Sequence, residues 1–356
     1  MAKSRRDNSG SYDPASDPRR GRSFQDIAGH ERLMTLLNRM IEQRRLPHSL
    51  LFHGPAQIGK RSLAYALIRR MECLKGDAAP GCDCRACVKL QRGSWFDLIE
   101  VRPGETGQQV VKVLDMREAM ESAVQLPIEG RHRFLLVHGA ERMQKESANA
   151  FLKTLEEPPP HLHIILLTSR LYSLLPTIRS RCTEARFNPV DWRALAEWLK
   201  ARTSCDAALR EFLAVLSGGC PGLALELAQD EQLSVKREET LAALKQFGEH
   251  GYVRLFQSAY EIERQADGDL AQALQHISAW QRDLLIARAA PEYAEQLLVN
   301  RQYKNLLMQS AEGCTREAAI EMLGAALKRY DWAGRMLNVQ LALENLLLDI
   351  GMASKK

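Results

Sequence analysis

The sequence predicts an α/β fold in which helices cover both faces of a parallel sheet, followed by an all-helical C-terminal part. Five strand-like segments recur between helical patterns, at 49–53, 97–101, 133–137, 163–168 and 184–187. Strands that alternate with helices favour a parallel sheet. Two of these segments contain continuous apolar runs, at 134–137 and 164–167, which is typical of strands buried on both faces.

The chain divides into four parts when it is read in order. Residues 1–23 are rich in Ser, Arg, Asp, Pro and Gly and predict a disordered basic tail. The alternating strands and helices occupy 24–187. After that the strand signal stops, and 188–229 contains short helical patterns. From 230 to 356 every pattern is helical, which indicates a helical bundle.

Composition favours a soluble protein and argues against several classes of function. No apolar run among the 356 residues approaches the roughly 18–20 residues that a membrane span needs. The N-terminus lacks the apolar part of a secretory signal, so we expect a cytoplasmic protein without a membrane partner. The formal net charge is +5, of which residues 1–23 carry +3. The rest of the chain is nearly neutral in net charge, which argues against a protein that coats DNA.

The segment after the first strand has the form of a phosphate-binding loop. Gly54 and Gly59 let backbone N–H groups face an anion at a helix N-terminus, and Lys60 is placed to reach the outer phosphates. The next position should carry a Ser or Thr that holds Mg²⁺, but it carries Arg61. Ser62 lies about 100° further round the helix and cannot substitute. The loop therefore keeps its phosphate cradle and loses its metal ligand.

The strand at 133–137 lacks the acidic residues that ATP hydrolysis needs. In P-loop ATPases the first acid after this strand helps to hold Mg²⁺ and the second acts on the attacking water. His138 and Gly139 occupy these two positions. We interpret Glu141, two residues further on, as a solvated residue at a helix start whose side chain points elsewhere. We therefore expect no hydrolysis by this chain and leave passive nucleotide binding open.

Four cysteines within fifteen residues predict a structural zinc site. Cys73, Cys82, Cys84 and Cys87 can supply four thiolates to a tetrahedral Zn²⁺ with no open position for chemistry. Such grouping favours metal binding in a reducing compartment over a disulfide scaffold. A zinc knuckle prefers two residues between paired cysteines, and Cys82 and Cys84 have one, so it stays open whether both are ligands. The alternative is a group of free thiols on a loop.

Several further segments carry a resemblance to a known family: 24–29 (FQDIAG), 46–52 (LPHSLLF), 149–159 (NAFLKTLEEPP) and 175–182 (LPTIRSRC). Together with the cysteine cluster after the P-loop helix, they resemble the clamp-loader branch of the AAA+ ATPases. Within it they resemble the delta-prime subunits of bacterial DNA polymerase III. The resemblance runs from about residue 24 to the C-terminus and is strongest as far as residue 187.

The resemblance implies an AAA+ core at 24–187, a helical lid at 188–229 and a collar at 230–356 that assembles into an open ring. It implies a stator without ATPase or polymerase activity of its own, within the DNA-directed DNA polymerase III holoenzyme, a nucleotidyltransferase. Its partners would be the gamma/tau and delta subunits and, through the complex, the sliding clamp and primed DNA.

The resemblance also assigns roles to single residues. Arg181 would be an arginine finger acting in trans on the ATP of a neighbouring subunit. Thr168 stands at the position of the first nucleotide-sensing residue. The second sensor would lie near 219–224, where the arginine of ATP-binding relatives is missing.

Two other functions stay open at this stage. The first is an active ATPase subunit like gamma/tau, which Lys60 favours and which Arg61, His138 and Gly139 oppose. The second is a zinc-containing nucleic-acid adaptor unrelated to replication, which the near-neutral charge of the fold opposes. ATP turnover would indicate the first, and tight DNA binding without partners the second.

Overall fold

The computed structural model describes residues 22–104, 110–229, 257–262, 270–330 and 339–353. The predicted tail therefore lies outside the described residues except for its last two positions. The chain forms two compact units. One ends at Trp198 and also includes Gly219–Leu223, and the other contains Leu199–Gly218 and the chain from Ala224 onward. The finer division into core, lid and collar stays a prediction.

A parallel sheet forms the centre of the first unit. Its strands are β1 (Ser49–His53), β2 (Leu98–Val101), β3 (Arg133–Val137), β4 (Leu162–Thr168) and β5 (Thr183–Arg186). They lie in the order β2, β3, β4, β1, β5, and every pairing is parallel. The predicted α/β class is confirmed, and each predicted strand agrees with the structure to within one residue at either end.

Helices lie before, between and after the strands. Their bounds are α1 Glu31–Glu42, α2 Lys60–Glu72, α3 Arg85–Gln91, α4 Val113–Ala123, α5 Lys145–Glu156, α6 Pro176–Arg179, α7 Trp192–Lys200, α8 Ala207–Leu216, α9 Pro221–Gln229, α10 Leu270–Ala289, α11 Ala294–Leu297, α12 Lys304–Glu312, α13 Arg316–Tyr330 and α14 Val339–Ala353. None of the helices in the described part of the chain is long and apolar enough to cross a membrane.

The side chains of the central strands alternate between two apolar layers. Leu50 and Phe52 of β1 pack in one cluster with residues of α1, α2 and α3. Leu51, between them, packs in the other cluster with residues of α4, α5 and α6. Because successive side chains of a strand point to opposite faces, a strand buried on both faces is apolar throughout. The apolar runs in the sequence have this origin.

A buried carboxylate fixes the loop between α4 and β3. Asp97 accepts hydrogen bonds from the backbone N–H groups of Ile128, Glu129 and Gly130, each at 2.7 Å, and from Arg133 at 3.0 Å. Burial alone would raise the pKa of Asp97, but the three N–H groups and the charge of Arg133 hold it below its usual range. These hydrogen bonds to the ionised carboxylate of Asp97 therefore hold the loop in place at the edge of the sheet.

The second unit is a bundle of helices around an apolar core. Helix α10 packs against α12 and α13, and α13 packs against α14. Ile277, Leu284, Leu343 and Leu347 are among the side chains at its centre. The prediction that 230–356 is all-helical agrees with the described residues of this part, which form α-helices and short 3-10 helices joined by irregular segments and contain no strand. Four of its segments lie outside them: 230–256, 263–269, 331–338 and 354–356.

Three histidines gather near the amino-terminal ends of the strands. The rings of His48 and His163 stack at 5.5 Å between centroids, and His132 meets His163 edge-on at 5.2 Å. His163 is buried in β4. Burial lowers its pKa to about 4, and the charge of His132 acts in the same direction. The fold therefore favours the neutral imidazole at this position.

We expect acidification to destabilise the chain through His163. The unfolded pKa is about 6.5, so the stabilisation is fully present above that pH and is lost as the pH falls towards 4. A shift of this size corresponds to roughly 3 kcal/mol. Urea unfolding of wild type and His163→Gln at about pH 7.5 and pH 4.5 measures it. The variant should lose less unfolding free energy on acidification, and equal losses would contradict this assignment.

Candidate functional site

The loop after β1 is turned by glycines in backbone conformations that other residues rarely adopt. Gly54 has a φ of +147° and Gly59 a φ of +109°. A Cβ on Gly54 would lie 2.4 Å from the carbonyl oxygen of Phe187, so the loop passes directly over the end of β5. Gly59 immediately precedes α2, and Lys60 is its first residue. The predicted strand, glycine loop and helix are all present.

Lys60 turns inward and binds the loop itself. Its Nζ lies 2.7 Å from the carbonyl oxygen of Gly54, 2.5 Å from that of Pro55 and 3.3 Å from Oγ of Ser169. Burial lowers the pKa of Lys60 to about 8, while the charge of Glu141 acts in the opposite direction. An anion entering this loop must therefore compete with two carbonyl groups for the hydrogens of the ammonium group.

Ser62 carries the hydroxyl nearest to position 61, where a metal-binding Ser or Thr is expected, and this hydroxyl bonds another residue. Ser62 is buried on α2, and its Oγ accepts a hydrogen bond of 3.5 Å from Arg22. This agrees with the expectation that Ser62 cannot replace the Ser or Thr that is missing at Arg61.

His138 ends β3 as a buried neutral imidazole. Burial, assisted by the charges of Arg102 and Arg61 and opposed by Glu100, lowers its pKa to about 4. Nε2 of His138 lies 3.4 Å from Oε2 of Glu100. That carboxylate is already bound by Arg102 at 2.5 Å and by the hydroxyl of Tyr65 at 3.1 Å. An uncharged ring beside an occupied carboxylate stands where a metal-binding acid would be needed.

The interpretation of Glu141 as a solvated residue that points elsewhere is wrong. Its Oε1 accepts a hydrogen bond from the backbone N–H of Ser169 at 3.2 Å, and its charge acts on Lys60. The cause is Gly139, whose φ of +58° starts a short 3-10 turn at Ala140–Arg142 and turns the chain back. A glycine directly after the strand was the sequence signal for this turn.

The sensor roles of Thr168 and of the segment near 219–224 stay predictions, and both lie close to the end of β1 or to the loop that follows it. Thr168 ends β4, is buried, and pairs in register with His53 at the end of β1. In the other segment, the N–H of Gly222 donates to the carbonyl oxygen of Gln57 in the loop at 2.9 Å. The residues at this contact are Pro221, Gly222 and Leu223, so it brings no arginine to the loop.

Arg181 lies apart from the loop, in the turn between α6 and β5. Its side chain is 34% exposed, and its Nη2 lies 2.5 Å from Oε1 of Glu156. Nη1 also donates to the carbonyl oxygen of Thr177 at 3.0 Å. Its hydrogen bonds go to Thr177, Ser180 and Glu156, and none reaches the described residues 54–60 of the loop after β1. The structure therefore gives Arg181 no role in a nucleotide site of its own chain. The guanidinium is presented at the surface.

The four clustered cysteines converge on one point. Their Sγ atoms all lie within 4.8 Å of one another, with Cys73 at 3.7 Å from Cys82 and 4.0 Å from Cys84. Two sulfurs of a tetrahedral zinc site, with Zn–S of about 2.3 Å, lie about 3.8 Å apart. The donor set therefore fits zinc, and the short spacing between Cys82 and Cys84 does not prevent either from taking part. Cys73 caps the end of α2, and Cys84 and Cys87 lie at the start of α3.

Comparison with known proteins finds similarity to subunits of DNA polymerase III. The family described as DNA polymerase III, delta subunit, matches residues 29–191. The tau/gamma subunit of DNA polymerase III from Haemophilus influenzae is 32% identical over 190 residues, which are 53% of this chain and 27% of that protein. The delta-prime subunit from Pseudomonas aeruginosa is 38% identical over 178 residues, which are 49% of this chain and 53% of that protein.

The chain is thus similar, over residues 29–191, to a family of DNA polymerase III subunits, and its relatives include both tau/gamma and delta-prime subunits. It spans between about a quarter and about half the length of the curated relatives that it matches. Among solved structures, the DNA polymerase III gamma subunit-related protein of Thermotoga maritima superimposes with a TM-score of 0.45 at 21% identity, covering 90% of this chain and 99% of that one.

Several residues of this candidate site were not found from the sequence. Glu100, Arg102 and Tyr65 form the hydrogen-bonded group beside His138, and Ser169 links Lys60 to Glu141. Glu100 lies in a strand and Tyr65 in a helix. A single polar residue in either element does not form a recognisable sequence motif. Their convergence depends on strand order, which the sequence pattern did not specify.

We expect Gly54→Ala to destabilise the chain far more than Gly59→Ala. Both glycines have a positive φ, but a Cβ at Gly54 meets the backbone of Phe187, whereas one at Gly59 has nothing within 4 Å. The loss should be roughly 3 kcal/mol or more at Gly54 and roughly 1–2 kcal/mol at Gly59. Urea unfolding of both variants measures the difference. Equal losses would mean that the loop relaxes around the added methyl group.

Proposed function

We propose that the chain is a delta-prime-like stator of a DNA polymerase III clamp loader, without ATP hydrolysis of its own. It works with gamma/tau and delta subunits and, through them, helps to load the sliding clamp onto primed DNA. This role belongs to the bacterial cytoplasm, at the replisome. The higher identity to the delta-prime relative supports this assignment.

The observation that carries the proposal is the state of His138. It is buried and neutral at the end of β3, and the carboxylate beside it, Glu100, is bound by Arg102 and Tyr65. Phosphoryl transfer depends on charge neutralisation by Mg²⁺ and on an acid that orients water. Arg61 occupies the other metal-binding position. This edge of the sheet therefore offers ATP neither a ligand for Mg²⁺ nor an acid that orients water.

A second candidate function is an active ATPase like gamma/tau. The relatives of that name and the retained Lys60, at the start of α2, favour it. The two functions differ in a single measurement, ATP turnover by the purified chain.

In the proposed complex, Arg181 completes the ATP site of a neighbouring gamma/tau subunit. A guanidinium stays charged at every relevant pH and binds phosphate oxygens in a bidentate manner. Its exposure and its single carboxylate partner, Glu156, support this role, because a phosphate group can replace that partner. Thr168 stays at the sensor position, although its hydroxyl accepts a hydrogen bond from Arg170.

The cysteine cluster holds one structural Zn²⁺ in this proposal. Cys73, Cys82, Cys84 and Cys87 supply the four thiolates, and such a site has no open position for substrate. Its contribution is to the fold of the segment between α2 and α3.

We expect the purified chain to hydrolyse no ATP. Arg61→Thr alone should not restore activity, because His138 and Gly139 still supply no carboxylate. Steady-state phosphate release tests this, with Lys60→Ala as the control for contaminating ATPase. Turnover in wild type that is lost in Lys60→Ala would favour the gamma/tau-like function.

We expect one zinc ion per chain. Metal analysis of protein purified without chelator measures it, and Cys73→Ser and Cys87→Ser should each lower zinc affinity strongly, since both cysteines are buried at the cluster. Cys314→Ser is the matched control, because Cys314 is a buried cysteine of the second unit. Zinc-free wild type would leave the cluster as a group of thiols.

We expect Arg181→Ala to lower the clamp- and DNA-stimulated ATPase of the reconstituted complex without preventing its assembly. Arginine fingers contribute about 10³–10⁵ in rate at the site they serve, but one subunit completes one site among several, so the total should fall partially. Arg181→Lys should rescue poorly because it loses the planar fork. The control is Arg179→Ala, a neighbouring arginine that pairs with Glu184. Wild-type turnover and clamp loading with Arg181→Ala would contradict the role.

A further inference from the structure

Two acidic residues stand at the end of α5, where they are unfavourable for the helix itself. Glu156 is the last residue of α5, and Glu157 follows it as the C-cap. The carboxyl end of a helix carries a partial negative charge, which repels carboxylates and favours cations. Residues that break a local rule of this kind often serve a function. For Glu156, the group that offsets the repulsion is the guanidinium of Arg181.

Both terminal nitrogens of Arg181 are bound within this chain. Nη2 donates to Oε1 of Glu156 at 2.5 Å. Nη1 donates to the carbonyl oxygen of Thr177 at 3.0 Å and lies 3.5 Å from Oγ of Ser180. These two nitrogens form the planar fork with which a guanidinium binds two oxygens of a phosphate group. Of the three internal acceptors that now engage the fork, Glu156 is the one that carries a charge.

The backbone at Arg181 is fixed, so that release of the guanidinium requires only side-chain rotation. The N–H of Ser180 donates to the carbonyl oxygen of Pro176 at 2.9 Å, and that of Arg181 donates to Ile178 at 3.1 Å. The side chain of Ile178 is fully buried in the apolar layer that also contains residues of α5. The turn therefore stays in place while the arginine exchanges one partner for another.

The pair of Arg181 and Glu156 is suited to such an exchange. The two side chains are 34% and 49% exposed. Ion pairs between exposed single charges are weak, because water screens them. The outer phosphate of ATP carries more negative charge than one carboxylate and offers two oxygens to the fork. A phosphate group presented to Arg181 therefore displaces Glu156.

The neighbouring arginine, Arg179, is held in a different way. Its Nε lies 3.4 Å from Oε1 of Glu184, five residues further along the chain, and its guanidinium lies 4.9 Å from the centre of the ring of Tyr172. The contact between Arg181 and Glu156 instead joins residues that are 25 positions apart. The acid at the end of α5 is thus matched to Arg181 and not to both arginines of the turn.

We propose that Glu156 is a positioning residue for Arg181, whose carboxylate holds the guanidinium against α5 until a neighbouring chain presents a phosphate group in its place. The proposal rests on the arginine-finger role of Arg181 and adds the regulation of that role. One hydrogen-bonded anion replaces another, and no proton is transferred. The ATP site that Arg181 completes is thereby restrained while the complex is idle, and loss of Glu156 removes the restraint.

The experiment measures ATP turnover by the reconstituted clamp-loader complex, with and without clamp and primed DNA. The part of the turnover that depends on Arg181 is the measured rate minus the rate of the same complex with Arg181→Ala. Glu156→Gln should raise this part roughly two- to fivefold in the unstimulated complex, which is the range that an exposed ion pair allows. With clamp and primed DNA it should change little, because phosphate already occupies the fork.

Glu157→Gln is the matched control, since it removes a charge from the same helix end and should behave like wild type. Glu156→Asp keeps a carboxylate on a shorter stem and should lie between wild type and Glu156→Gln. In an Arg181→Ala background, Glu156→Gln should have no further effect, because the two residues act as a pair. A purely structural role of Glu156 would give the same change with and without Arg181.

The outcomes separate this proposal from the role of Arg181. Wild-type turnover with Arg181→Ala overturns the arginine finger and this proposal with it. If Arg181→Ala lowers turnover but Glu156→Gln leaves the Arg181-dependent unstimulated rate unchanged, only the role of Glu156 is overturned. A decrease of that rate overturns it as well, because Glu156 would then hold the guanidinium in its active orientation. Should the complex with Glu156→Gln not assemble, Glu156→Asp and Glu156→Ala carry the comparison, and wild-type rates in both overturn the proposal.

Discussion

The pairing of β1 with a parallel neighbour on each side is the constraint from which the first unit follows. Because β1 bonds both β4 and β5, the loop after it emerges at the edge where those strands also end. Parallel neighbours need crossover connections, and here these are helices that cover both faces. Lys60, Thr168 and Ser169 meet for this reason, although about a hundred residues separate the first from the other two.

At that edge, protein groups take up the charges that a metal ion would otherwise balance. Glu100 is neutralised by Arg102, and Glu141 is bound by a backbone N–H and lies in the field of Lys60. Lys60 is in turn bound by carbonyl groups of its own loop. The carboxylate of Glu100 is thus bound within the fold, whereas Oε2 of Glu141 is buried without a hydrogen-bond partner among the described residues.

The sequence predicted the strands and the site elements well, because both depend on local patterns. Apolar runs identify strands such as β3, and Gly54, Gly59 and Lys60 occupy fixed positions between strand and helix. The direction of Glu141 was missed because it depends on the backbone conformation of Gly139, and the group around Glu100 was missed because it depends on the order of the strands. For Cys82 and Cys84, spacing alone left open whether both sulfur atoms reach the cluster, and the positions of α2 and α3 bring all four sulfur atoms within 4.8 Å of one another. The role proposed for Arg181 depends on a surface of another chain, which no pattern within this one contains.

The first unit consists of two separate segments of the chain, and this limits where a gene can be cut if the unit is to be transferred or expressed by itself. Gly219–Leu223 belongs to it, through the bond of Gly219 to Val190 and that of Gly222 to Gln57. A gene fragment that ends at Trp198 would encode the whole sheet but would lack Gly222, whose backbone N–H bonds Gln57 in the loop after β1. Recombination at a boundary directly after Trp198 therefore cannot transfer this unit intact, and a piece that carries it has to run at least to Leu223, including residues of the second unit.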